Sequence, residues 1–399
     1  MKKKTVAVLV LASVALLAAA PAKVQAAGPR ALAPAAVAAA VPLAGSLERD
    51  PVAFSVPAGE EPFSTALPPA VAESREFWRT VSAEELRAGT PFTTTAPGAV
   101  VRLSPVSPGG GPVDPALLVV ETPRGERLSG DAAFREIATA DQLRRAGAPF
   151  PEGSTAFRLR EEAGAGTFRL RAPSLEPGAD RYLLHVLDRD SLAVLSLRTL
   201  ADTVFYGDTL AAEGWLSDAG EFRKVSFAEA QVAAPDGSRF DARVTPRSDG
   251  SLSIALPMEV SPAAAPGLWE LHLRVRGEAG GQTVERAVHT AFAYVVPTAR
   301  RIGPVSVTSR KGRIFVEAPV ETAAAGRYAF RALVLGKDGK GATRPLARLE
   351  TAAWLEAGRG SLRAEVSPEV VRKAGLRGPF QVQEVWLLDQ SRLQVLEKP

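Results

Sequence analysis

Three histidines supply every imidazole in this 399-residue chain, and it has no cysteine to act as a thiol nucleophile or thiolate metal ligand. His185 stands in YLLHVLD and shares a strand face with Leu183 and Leu187, so it is read as a satisfied residue at a core boundary. His289, in ERAVHTAFAY, shares its face with Ala287 and Ala291 and is read the same way. His272 lies in APGLWELHLRVRG. Strand alternation there sends Trp269, Leu271, Leu273 and Val275 to one side and Glu270, His272, Arg274 and Arg276 to the other. That places His272 on the polar, solvated face. No two histidines are spaced i, i+4 on a helical pattern, so the zinc-hydrolase arrangement is absent. His272 and His289 flank a hairpin, one on each strand, and are not read as a paired site.

Other candidates are equally sparse. GKDGKGATR (Gly336 to Arg344) has a phosphate-loop spacing between Gly336 and Gly341. However, Ala342 and Thr343 replace the Lys-Ser/Thr pair that would touch phosphate and magnesium, and no helical pattern follows. A hairpin turn on Asp338-Gly339 is the expectation. LDRDS places Asp188 and Asp190 near each other but lacks the glycine and distal glutamate of an EF-hand loop, so a charged turn is expected. There is no G-x-S-x-G elbow. Carboxylates are abundant, but nothing beyond abundance proposes a glycosidase pair. No catalytic, cofactor-binding or metal-binding residue is assigned, and no cofactor is expected.

Any such groups must be carried by elements rich in turns, since the chain holds 34 glycines and 32 prolines. Residues 1–26 read as an export signal: a basic start (Lys2, Lys3, Lys4), an apolar run from Val6 to about Ala20, and Val24-Gln25-Ala26 before the cut. Export would leave the protein periplasmic or extracellular, with no transmembrane segment after cleavage. The segment carries four of the 48 basic residues (Lys2, Lys3, Lys4, Lys23), so the remainder has 44 basic against 44 acidic residues. A balanced chain lacks the basic footprint that a nucleic-acid partner requires. Without disulfides, the domains must rest on hydrophobic cores.

Residues 27–75 read as a Pro/Ala-rich linker, because eight prolines from Pro29 to Pro69 interrupt any helix. The first folded block, 76–198, opens with a capping box on Ser82 and Glu85, with Gly89 at the helix stop. It also contains a helical insert from Asp131 to Gly147, broken near Thr139. The second block, 199–299, is strand signal punctuated by Pro235-Asp236-Gly237 and Ser248-Asp249-Gly250 hairpin turns. The third, 300–399, adds a short helix in SPEVVRKAG, with Ser367 as cap and Gly375 as stop. A glycine followed closely by an aromatic opens four strands: Gly166/Phe168, Gly267/Trp269, Gly326/Tyr328 and Gly378/Phe380.

EFWRTVSAEELRAGTPFTTTAPGAVVRLSP (Glu76 to Pro105) resembles the start of an uncharacterised family of exported bacterial proteins, domain of unknown function 4785. The resemblance extends over about residues 76–399. PDG…DGS…PGLW and GLRGPFQVQEVWLLD also resemble immunoglobulin-like modules. The resemblance implies a mainly β protein of three consecutive immunoglobulin-like β-sandwich domains, the first with short helical insertions. It offers no catalytic residues. The expected function is an exported, non-catalytic binding or scaffold protein of the cell envelope, with a protein or glycan partner. The alternative is a secreted hydrolase or carbohydrate-binding accessory protein whose site lies in the first domain, with a pocket bearing two carboxylates or His185. A protease-trapping or adhesion role is a third reading.

Overall fold

The structure is a computed structural model that describes residues 30–45, 48–59, 70–107, 111–145, 151–176 and 180–399. The expected export signal lies outside them, as does Gly147, the expected end of the helical insert. The chain is mainly β, and its sheets enclose three large hydrophobic cores. No helix among the described residues is long and apolar enough to cross a membrane.

The first core is held between two antiparallel sheets. One contains Glu76–Ser82, Arg181–Leu187, Val100–Pro105, Thr155–Leu159 and Phe134–Thr139 in that order. The other contains Thr90–Thr94, Gly166–Arg171, Val119–Glu121 and Arg127–Ser129. Alternation drives this: Phe77, Val101, Leu103, Tyr182, Leu184 and Val186 point inward from the first sheet, and Phe92, Phe168 and Leu170 from the second. The capping box forms as expected on helix Ala83–Ala88, with the Ser82 hydroxyl accepting from Glu85 N and the Glu85 carboxylate accepting from Ser82 N.

The expected insert from Asp131 is different. Among the described residues of the insert only Gly130–Ala133 and Ala140–Arg145 are helical, and Phe134–Thr139 between them is an edge strand. Phe134 is buried against Phe157, with ring centroids 4.5 Å apart, and the strand pairs with Thr155–Leu159. This tertiary pairing overrides the local helical preference of FREIAT.

The second core is wrapped by one sheet of ten strands folded on itself, with Arg239–Pro246 as the strand that pairs into both halves. Trp269, Leu271, Leu273 and Val275 line the inside together with Leu195, Leu197, Leu210 and Ala212 from the opposite half. Strand Ala193–Thr199 pairs with Thr209–Asp218 and thus builds the second core, although the sequence reading put it in the first block. An apolar strand looks the same from either side of a junction, and only its pairing partner decides. The hairpin turns at Gly237 and Gly250 are as expected, closed by Ala234 N to Ser238 O and Arg247 N to Ser251 O.

The third core lies between a five-stranded sheet and a four-stranded sheet, with Tyr328, Phe330, Val316, Leu349 and Leu387 inside. Helix Pro368–Ala374 has its Ser367 cap and left-handed Gly375, as read from sequence. The phosphate-loop-like stretch is a hairpin loop, in which the Asp338 carboxylate accepts from Lys340 N and Ala342 N.

The expected linker needs correction. Helix Ala35–Ala40 sits between Pro34 and Pro42, where proline bounds a helix without breaking it, and Ala33, Ala38 and Val41 enter the second core. Arg30 pairs with Asp208 at 2.6 Å and covers the Phe205 ring at 3.8 Å. Strand Val52–Pro57 then pairs with Thr343–Leu355 as an edge of the third domain, with Phe54 half exposed, and Ala72–Ser74 pairs with Ala193–Thr199. The described part of 27–75 is a strap over the later domains, held by the hydrogen bonds that Arg327 Nη1 donates to the carbonyls of Glu48 and Asp50.

Candidate functional site

The hairpin Trp269–Ala279/Gln282–Val295 turns on Gly280 and Gly281, both at positive φ (56° and 71°), as a two-residue hairpin turn requires. Counting back from the Ala279–Gln282 pair sets His272 directly opposite His289. Their rings stack at 5.4 Å with a 24° tilt, and His272 Nε2 lies 3.0 Å from Glu270 Oε2. Burial holds the His272 imidazole below its ordinary range. The His289 and Arg239 charges act the same way, and Glu270 opposes them.

From the first domain, the edge strand Glu76–Ser82 brings Trp78 opposite His185 on the neighbouring strand. Trp78 lies 6.3 Å from the His185 ring and 6.1 Å from the His289 ring. All three histidines of the chain thus fall in one ladder of rings, His185–Trp78–His289–His272, that crosses the boundary between the first two domains. His185 Nε2 lies 2.8 Å from Glu76 Oε2, which agrees with its reading as a satisfied boundary residue.

For His272 the outward direction was legible, but solvation was not. Its side chain is only 26% exposed, because the first domain packs over that face. His272 and His289, read as flanking a hairpin and not as a paired site, lie directly opposite each other with their rings stacked. The EAGGQ turn carried the signal that pairs them, while nothing in the sequence announced Trp78.

The Glu76–His185 contact has a pH consequence. Glu76 sits below its ordinary value of 4.5, chiefly through the His185 hydrogen bond, with burial opposing. A depressed carboxylate contributes stability above its unfolded-state pKa and loses it as the pH falls through the lower folded-state value. Glu76→Gln should therefore flatten the loss of stability below about pH 4.5. Urea unfolding at pH 3.5 and 7 checks this, and an unchanged pH slope in the variant would contradict it.

The ladder borders a cleft of about 550 Å³. Trp78, Arg79, Thr80 and Leu183 form its first-domain wall, and strands Val225–Ala233, Arg239–Pro246 and Trp269–Ala279 form most of the second. Arg274 Nε pairs with Glu229 at 2.8 Å, and Arg79 Nη1 with Glu285 at 3.4 Å. Gln231 Nε2 donates to Asp241 at 2.9 Å, which leaves its carbonyl facing Arg239 at 3.5 Å. A groove of about 620 Å³ between the second and third domains is more apolar, with Leu268 and Leu393 on its lining.

The cleft is set by a buried ion pair. Arg286 is 0% and Asp188 1% exposed, with Nη2 to Oδ2 at 2.8 Å. Arg286 also donates to Ala193 O, Glu285 O and Ser191 Oγ, while Asp188 accepts from Thr95 N, Thr95 Oγ1 and Ala96 N. Both ends are thus nearly saturated, as a buried charge pair requires. Burial lowers the pKa of Arg286 and Asp188 opposes that shift. LDRDS accordingly holds a domain clasp at Asp188, while Asp190 is exposed beside Arg189. Among the described residues, no group of three or more His, Asp or Glu side chains is placed to hold a metal.

The family model for the N-terminal domain of DUF4785, a domain of unknown function, matches residues 43–188. The model for the C-terminal domain matches residues 298–399. The chain belongs to the DUF4785 family. The two matches end and begin at structural joints. Asp188 clasps Arg286 in the second domain, and the Thr298 hydroxyl donates to buried Asp389 at 2.7 Å in the third. A crystal structure of a DUF4785 family protein from Legionella pneumophila is similar over 88% of this chain and 92% of that one, at 23% identity and a TM-score of 0.72. That similarity shows the shared fold. Native alpha-2-macroglobulin from E. coli matches at 15% identity over 84% of this chain and 20% of that one, with a TM-score of 0.27, too low to carry an argument. No curated protein matches the chain.

Proposed function

We propose that this DUF4785 protein is an exported, non-catalytic binding or scaffold protein of the bacterial cell envelope, and that the cleft between its first two domains engages its partner. The observation that carries the reading is the chemistry of the lining. It contains no serine or aspartate, and its one carboxylate, Glu229, is already paired with Arg274. The imidazole of His272 faces Glu270, and Arg79 faces Glu285. Such a wall offers an aromatic surface and fixed hydrogen-bonding groups, with no adjacent nucleophile and base. A hydrolase pocket in the first domain would draw two carboxylates or His185 into its lining. The first domain instead contributes Trp78, Arg79, Thr80 and Leu183.

Thermal unfolding with a panel of glycans, calcium and zinc tests the proposal. A ligand at a hundred times its Kd stabilises the unit that holds it by about 2.7 kcal/mol. For a unit of 150–250 residues, this raises Tm by about 5–10 °C. The shift should vanish in Trp78→Ala, measured against that variant's own unliganded Tm, which will be lower because the ring also packs on the first core and on His289. Turnover by the purified chain, abolished by one polar substitution in the cleft, would overturn the proposal.

A further inference from the structure

We propose that the ligand of this cleft is a saccharide bearing a carboxylate, lying against Trp78 with its acid group held by Arg239 and His272. The inference rests on the reading of the cleft as a binding site and adds the class of ligand. Three observations point to it.

The first is backbone pairing. Strand Trp269–Ala279 is hydrogen-bonded to neighbours on both sides, so the part of this wall that carries His272 and Arg274 has no strand edge for an extended peptide to join. The short edge Arg239–Ala242 pairs only with Ala230–Ala233. The edge strand of the opposite wall, Glu76–Ser82, packs along Gln282–Val295. Around His272 and Trp78 the cleft therefore meets its ligand with side chains.

The second is the mixture of those side chains. An indole with Gln231, Thr80 and Glu229 around it combines an apolar plate with both donors and acceptors. That pairing matches a sugar ring, which has an apolar C–H face and hydroxyls at its rim.

The third is charge. Of the three lining arginines, Arg79 and Arg274 already have carboxylate partners, whereas among the described residues Arg239 has only the Gln231 carbonyl at 3.5 Å. Arg239 is exposed and close enough to His272 to act on its titration. A planar guanidinium with no acid of its own is the group that captures a carboxylate.

The pH dependence has a definite sign. The charged and titratable groups around His272 are Glu270 and Arg274 on its own strand, His289 opposite, Glu229 on the neighbouring strand, Arg239 and Asp241 on the strand beyond it, and Arg79 across the cleft. A carboxylate added to this set favours the imidazolium, so binding takes up a proton and tightens as pH falls from 8 to 6.

The test is titration of the full chain with tetragalacturonic acid, its methyl ester and tetraglutamate, followed by calorimetry and by the Trp78 indole N–H resonance, assigned with Trp78→Phe. The acid should shift that resonance and bind at least tenfold tighter than the ester. Arg239→Gln should lose at least tenfold in affinity while the ester is unaffected. The tightening from pH 8 to 6 should disappear in His272→Gln. Ester or peptide binding as tightly as the acid would overturn the acidic-saccharide assignment while leaving the cleft a binding site. If no probe moves Trp78, the assignment fails, and the broader binding reading stands or falls on the thermal-shift panel.

Discussion

Replacing Asp188 by alanine should cost the first two domains about 3–5 kcal/mol, the scale for removing one partner of a buried ion pair. The physical reason is what stays behind. Arg286, fully buried, would keep its charge without a counter-ion, and the amides of Thr95 and Ala96 would lose their acceptor. Asp188→Asn should be milder, because an amide oxygen still accepts from Thr95 N or Ala96 N. Arg286→Leu should also be milder than Asp188→Ala. The carboxylate would retain three donors from Thr95 and Ala96, and the lost guanidinium would no longer need solvation. Calorimetry should show the loss in the transition that contains the first two domains, with that of the third unchanged. A cost below about 1 kcal/mol for Asp188→Ala would mean that the pair does not hold the junction.

Trp269→Ala should be comparably severe within the second domain, at about 3–5 kcal/mol for truncating a buried aromatic. Trp269 is 2% exposed, stacks on Phe240 at 5.8 Å and meets Tyr294 edge-on at 4.7 Å. The Tyr294 hydroxyl in turn donates to the carbonyls of Met258 and Val260, and burial raises the pKa of that phenol. The surrounding polar bonds keep Tyr294 from collapsing into the void, so the cavity should persist and the full penalty should appear. Trp269→Phe, which keeps an aromatic in the stack, should recover more than half of the loss by urea denaturation. Equal losses for the two variants would contradict this packing account.

The strand Trp269–Ala279 could be read from sequence because a core on one side only leaves period-two alternation intact. Its partner Gln282–Val295 was less transparent. Arg286, Ala287 and Val288 are all buried, since Ala287 faces the first core and Val288 the second. An arginine in such a run reads as solvent-facing until its partner, Asp188, nearly a hundred residues away, is known. The caps on Ser82 and Ser367 were legible because they depend on three or four adjacent residues. The strap was not, because Ala33, Ala38 and Val41 are buried by a core that the local composition does not encode. The ring ladder was half legible. The Gly280-Gly281 turn dictates the His272–His289 pairing, whereas the approach of Trp78 depends on how two domains meet.

That meeting is the centre of the account: the cleft exists in its binding shape before any ligand arrives because the Asp188–Arg286 pair fixes the two domains. The absence of cysteine allows a clean test, in which Arg124→Cys and Ser238→Cys, both at exposed positions, carry one spin label on each domain. Pulsed electron-paramagnetic-resonance distances should give one narrow distribution, unchanged by tetragalacturonic acid and broadened by Asp188→Ala. A broad or two-peaked distribution in the unliganded protein with Asp188 intact would contradict the account, because the cleft would then be formed by the ligand.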